Sequence, residues 1–160
     1  SMRVNLRKHP SYSSYSEFIG LSGSTLTDTK YLFPWYNNVG LESQLRIGNV
    51  GTATTMVTIT IGGNAQVPTY TLAPNESAKV MIPNVDNGPL VVQSSGGVPI
   101  IASMRVNLKT HPVYSSYAEF MGLSMGTPVG LPGNQVSDTY WLPWYNNTGG
   151  LDSQLRFGVP

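Results

Sequence analysis

An all-β fold, an antiparallel β-sandwich of immunoglobulin-like type, is what three features of this 160-residue sequence predict. Several short stretches alternate apolar and polar residues with period 2, as half-buried strands do. Turn signals built on Gly, Asn, Asp and Pro separate them every ~8–12 residues. No stretch of useful length carries the 3.6-residue period of an amphipathic helix.

Each element follows from its own residues. Leu41, Ser43, Leu45 and Ile47 share one face of a strand near 41–48, with Glu42, Gln44 and Arg46 on the other. Val57, Ile59 and Ile61 alternate with Thr58 and Thr60, a strand near 54–61 with β-branched residues on both faces. Gly62-Gly63-Asn64 then turns the chain. Tyr70 and Leu72 alternate in a strand near 68–73 that Pro74-Asn75 breaks. Ala78, Val80 and Ile82 alternate with Lys79 and Met81 over 77–82. Asp86-Asn87-Gly88 is a turn before Pro89, and a strand near 89–94 follows. Gly96-Gly97 turns into Ile100, Ala102, Met104, Val106 and Leu108, predicting a strand near 98–107. The best helix candidates are Tyr117–Leu123 and its twin Tyr15–Leu21, both short and ending at Gly, so that one helical turn is the most they allow.

The chain also repeats itself. SMRVNLRKHPSYSSYSEFIGLS (1–22) returns as SMRVNLKTHPVYSSYAEFMGLS (103–124), identical at 17 of 22 positions. FPWYNNVGLESQLRIG (33–48) returns as LPWYNNTGGLDSQLRFG (142–158). The offset is 102 residues in the first pair and 109–110 in the second, after a longer loop. That is the size of a small domain, not of a solenoid turn. The expected organisation is the C-terminal part of a preceding repeat (1–30), a complete sandwich repeat (31–125), and a surface loop with the start of the next repeat (126–160). The sequence thus reads as a window on a tandem array, and arrays supply length, spacing and many weak contacts.

Composition narrows the function. Only 11% of residues are charged, against roughly 25% in an ordinary soluble domain. With 40% hydrophobic residues the chain is expected to fold rather than stay disordered. A net charge of +1 gives no basic footprint for nucleic acid. There is no Cys, which excludes disulfides and thiolate metal sites. No run reaches the ~18 apolar residues of a membrane span. SMRVNL does not read as a signal peptide, and Met2 recurs as Met104, so any export signal is expected outside this window.

The ordered words EFMGL, DTYWLPWYNN, L-x-S-x-L-R-x-G, IGG, NGP and S-x-RV resemble tandem β-rich repeats of very large secreted bacterial cell-surface proteins. The resemblance covers nearly the whole chain. It implies a β-rich repeat on an exported, surface-attached or filament-forming protein, without enzymatic activity. Met2 and Met104 stand where the pattern of those repeats has an acid in S-x-RV, which weakens any binding role for an acid at that position.

Two motifs invite a site. Trp35, Tyr36, Asn37 and Asn38, with their twins Trp144, Tyr145, Asn146 and Asn147, have the chemistry of carbohydrate binding: an aromatic face for the sugar ring, amides for its hydroxyls. The structural reading is preferred. In it the Trp fills the core, the Asn pair shapes a turn, and Trp141, Trp144, Tyr140, Phe120 and Tyr117 close one end of the module. Asp28, Asp138, Glu42 and Asp152 supply hard oxygens for Ca²⁺, though no EF-hand-type loop accompanies them, and turn capping is the simpler role. His9 and His111 each precede Pro without further ligands nearby. No nucleophile elbow or phosphate loop is present. The expectation is a non-enzymatic structural repeat with no cofactor, self-associating with neighbouring repeats or chains, located outside the cell. A glycan-binding module is the alternative.

Overall fold

The computed structural model describes residues 2–5, 15–18, 28–108, 117–125, 135–140 and 155–159. Within them the chain is all-β, and every strand pair is antiparallel. The strands are β1 (Met2–Asn5), β2 (Tyr15–Phe18), β3 (Lys30–Phe33), β4 (Tyr36–Asn37), β5 (Leu41–Asn49), β6 (Thr55–Ile61) and β7 (Asn64–Leu72). They continue with β8 (Ser77–Val80), β9 (Asp86–Asn87), β10 (Leu90–Ser94), β11 (Ile100–Leu108), β12 (Tyr117–Met121) and β13 (Leu123–Ser124).

Two sheets carry the core. One has the order β13-β3-β10-β6-β7, the other β12-β11-β5-β8. Their apolar faces meet in a single cluster: Tyr31, Phe33, Ile59 and Val92 from the first, Leu45, Ile47, Ile100 and Met104 from the second. Alternation does this directly. Along β6, Thr55, Val57, Ile59 and Ile61 are buried while Met56 and Thr58 face out. Each fully buried Val, Leu or Ile contributes about 1.5–3 kcal/mol over leaving it exposed. Gly62 and Gly63 join β6 to β7 in a two-residue turn with φ of 56° and 79°, the left-handed pair such a hairpin needs. At the far edge, Pro68 interrupts the donor row of β7, which blunts that strand against unwanted pairing.

The six strands predicted from alternation all exist, with β7 starting four residues earlier. The two helix candidates are extended at their described strand residues. Tyr117–Met121 and Tyr15–Phe18 are strands β12 and β2. The edge of β11 requires backbone partners, and an aromatic-rich segment satisfies them better extended than coiled. Gly122 then lets the chain pass from the second sheet to β13 in the first. A Cβ there would lie 2.7 Å from the Phe33 ring.

The duplication is structural as well as textual. In one hairpin Met104 faces Phe120, Arg105 faces Glu119, Val106 faces Ala118 and Asn107 faces Tyr117. In the other, Met2 faces Phe18, Arg3 faces Glu17, Val4 faces Ser16 and Asn5 faces Tyr15. The two registers are identical after the shift of 102 positions. Among the described residues the β1–β2 hairpin forms its own two-stranded sheet, with β2 lying against β12.

Candidate functional site

The Trp-Tyr-Asn-Asn word sits where β4 pairs with β9, Tyr36 opposite Asn87 and Asn37 opposite Asp86. Tyr36, not Trp35, is the core residue of the word, fully buried against the sheet-to-sheet cluster. This corrects the expectation that the Trp fills the core. Tyr36 is inside the short strand β4, whereas Trp35 precedes it and stays half-buried at the rim.

The polar atoms of the word are engaged by the fold. The Tyr36 hydroxyl donates to the Ser43 carbonyl (3.1 Å) and accepts from the Ile82 N–H (2.8 Å) and Asn38 Nδ2 (2.8 Å). Asn38 Nδ2 also donates to the carbonyls of Ser43 (3.2 Å) and Ile82 (3.0 Å), and its Oδ1 accepts the Ser43 N–H (2.6 Å). Asn37 Oδ1 accepts from the N–H groups of Val39, Gly40 and Leu41, shaping the turn into β5. Burial pushes the Tyr36 phenol above its ordinary range, with the Ile82 N–H opposing in part. Burial likewise pushes Tyr31 up to about 12, against the Asp28 N–H that donates to its oxygen.

Trp35 and Asn37 are the members that line a cleft. The Trp35 indole N–H donates to Asp86 Oδ1 (2.7 Å), and the Arg156 guanidinium lies 5.5 Å from the ring centroid. Trp35, Asn37, Asp86, Leu155, Arg156 and Phe157 line a cleft of about 320 Å³. Sequence reasoning missed both charged members. Asp86 was read only as part of a turn, and Arg156 is the twin of Arg46, a strand residue in the first copy. Trp144, Tyr145, Asn146 and Asn147 lie outside the described residues, as do Trp141, His9 and His111. Of the expected aromatic cluster, Phe120 packs on Phe33 with centroids 6.0 Å apart, and Tyr140 is 55% exposed.

The acidic candidates are separated. Asp28 accepts from Ser124 Oγ and from the Thr29 N–H (2.6 Å), and it bridges to Ile100. Glu42 Oε1 accepts from Gln44 Nε2 (2.6 Å) and Asn107 Nδ2 (3.0 Å). Ile100 and Asn107 lie seven residues apart on β11, about 23 Å along the strand. Asp138 is exposed and accepts from Thr139 Oγ1, and Asp152 lies outside the described residues. No three His, Asp or Glu side chains among the described residues gather as metal ligands would.

A further cluster was not anticipated. Glu119 on β12 is buried, with Arg105 Nε (3.1 Å) and Nη2 (2.8 Å) both on its Oε2. Arg46 Nε of β5 lies 3.8 Å from Oε1, and Ser103 Oγ donates to the same oxygen. This acid bridges three neighbouring strands. The signal was in the repeat: Arg3 and Glu17 recur as Arg105 and Glu119.

The second copy of the β5 sequence behaves differently from the first. SQLRIGN (43–49) lies within β5, with Leu45 and Ile47 at most 1% exposed. SQLRFGV (153–159) repeats it, yet residues 155–159 are in no strand, and Leu155, Phe157 and Val159 are 52%, 82% and 89% exposed.

No protein-family model matches the chain, and no curated protein is similar to it. The chain is similar to the crystal structure of Thermotoga maritima 1070, with a TM-score of 0.48 and 14% identity over 66% of this chain and 99% of that one. No helix among the described residues is long and apolar enough to cross a membrane.

Proposed function

We propose that this chain is a non-enzymatic structural repeat of an extracellular bacterial surface protein or filament, an immunoglobulin-like sandwich that assembles head-to-tail through strand edges. The observation that carries this is the duplicated hairpin. One copy, β11–β12, completes a sheet by pairing with β5, while its twin β1–β2 pairs only within itself among the described residues. A second copy of the β5 sequence meanwhile exposes its apolar residues. Low charge and the resemblance to exported surface repeats support the same reading. So does the engagement of Tyr36, Asn37 and Asn38 in holding the fold.

Sedimentation velocity over a wide concentration range, with electron microscopy of the same samples, tests it. Open-ended linear oligomers are expected. A monomer at every concentration would overturn the assembly. The cleft beside Trp35 and Arg156 keeps the glycan-binding alternative concrete. Saturable quenching of tryptophan fluorescence by an oligosaccharide, abolished by Trp35→Ala, would favour that alternative over a purely structural role.

A further inference from the structure

We infer that Ser124 and Gln135 join through a side-chain ester, formed by the folded chain itself with Asp28 as the base. The bond lies within one chain and does not depend on how copies assemble.

Three segments of the chain meet here. Asp28 precedes β3, Ser124 ends β13, and Gln135 lies 11 residues beyond Ser124. Ser124 is opposite Tyr31 in the β13–β3 pair and is 2% exposed. Its Oγ donates to Asp28 Oδ2. The carboxylate is fixed from its other side, where Oδ1 accepts the Thr29 N–H at 2.6 Å, and the Asp28 backbone bridges to Ile100. A serine hydroxyl is a weak nucleophile until an adjacent base takes its proton. Gln135 is docked on the same serine twice. Its backbone N–H donates to the Ser124 carbonyl at 2.8 Å, and its side-chain Oε1 accepts the Ser124 N–H at 3.0 Å. The second bond polarises the carboxamide and sits where negative charge collects on Oε1 during attack. A nucleophile's own backbone N–H serves acyl-transfer sites in the same way. Ser124 thus carries the attacking oxygen and the oxyanion donor within one residue.

The chemistry balances without a co-reactant. Oγ bonds to Gln135 Cδ as its proton passes to Asp28. The tetrahedral intermediate collapses by breaking Cδ–Nε2, and the proton leaves Asp28 with that nitrogen as ammonia. One hydroxyl and one carboxamide become one ester and one ammonia. Holding the two groups together replaces a bimolecular encounter. Escape of ammonia pulls the reaction forward, and burial of Ser124 shields the ester from water. The first copy of the repeat has no equivalent. LSGSTLTDT (21–29) contains no Gln, whereas the longer loop of the second copy, LSMGTPVGLPGNQVSDT (123–139), supplies Gln135. The ester adds a covalent tie at β13, a two-residue strand at the edge of the five-stranded sheet.

Mass spectrometry of the full chain, held folded at neutral pH, tests the bond. The protein is expected to be lighter than its sequence by one ammonia. Cyanogen bromide cleaves after Met121 and Met125, which releases Gly122–Met125 from an unlinked chain. In the linked chain that fragment stays attached to the one carrying Gln135, and hydroxylamine, which cleaves esters, frees it. Ser124→Ala and Gln135→Ala should each keep the full mass. Gln135 is exposed, so its variant reads the bond even where loss of Ser124 disturbs folding. Asp28→Asn should slow linking by about 100-fold, the scale of a lost general base. An unchanged rate in that variant overturns Asp28 as the base. A free Gly122–Met125 fragment from the unsubstituted chain overturns the ester, whatever the mass of the whole protein.

Discussion

Tyr36 concentrates the local physics of this fold in one hydroxyl. It accepts from the Ile82 N–H and Asn38 Nδ2 and donates to the Ser43 carbonyl, in a fully buried position. Tyr36→Phe keeps the ring and strands those partners, so it should lower stability by about 2 kcal/mol, measured by chemical denaturation. The same burial sets a pH limit. Tyr31 is pushed up to about 12 and Tyr36 is raised in the same direction, so the folded state favours the neutral phenols. Unfolded tyrosines ionise near pH 10. Stability from these groups is therefore fully present below about pH 10 and falls as pH rises towards 12, by up to ~1.4 kcal/mol per pH unit for each phenol. Replacing Tyr31 by Phe should flatten that decline, as followed by unfolding transitions between pH 9 and 12.

Two adjacent strands show how an element is held by few contacts. β12 and β13 are consecutive in the chain but belong to different sheets, and Gly122 is the crossing point. Gly122→Ala would press a methyl on the fully buried Phe33 ring, 2.7 Å away. Overpacking of that kind costs about 1–3 kcal/mol, and a thermal shift should report it. β12 itself is anchored by Glu119, whose buried carboxylate binds Arg105 at 2.8 Å. Glu119→Ala leaves the arginine without that acid and should destabilise the fold by about 3 kcal/mol. Hydrogen exchange should then show β12 losing protection before β5 or β6 does.

At the scale of the whole molecule, the two copies of one sequence make the sharpest contrast. Leu45 is buried in β5 and Leu155 is half exposed. Leu45→Ala should cost about 3 kcal/mol, as large-to-small core changes do. Leu155→Ala should change the stability of the sandwich by less than about 0.5 kcal/mol. If strand addition drives assembly, Leu155→Ala should nonetheless weaken self-association, seen as a rise in the dissociation constant by sedimentation. Equal destabilisation by both substitutions would mean that Leu155 is buried within its own chain.

The sequence by itself determined which stretches are strands wherever one face is apolar and the other polar. β5, β6, β8, β10 and β11 are legible because each alternates, and the φ > 0 turn at Gly62-Gly63 is legible because glycine adopts that backbone at little cost. The repeat set the same residues in two places, and the two copies pair in one register. Tertiary structure alone decided the rest. Short aromatic segments such as β12 have no local preference strong enough to choose between a helical turn and a strand, and the open edge of β11 chose. Within Trp35-Tyr36 both rings suit a core, and pairing with β9 decided which one entered. The cleft drew Asp86 and Arg156 from distant parts of the chain, and no local pattern announces such a meeting. SQLR followed by Ile47-Gly48 is a buried strand, whereas in the repeat ending Phe157-Gly158 the described residues are in none. A strand draws its stability from a partner's hydrogen bonds and an opposing apolar face, and neither is contained in the strand's own sequence.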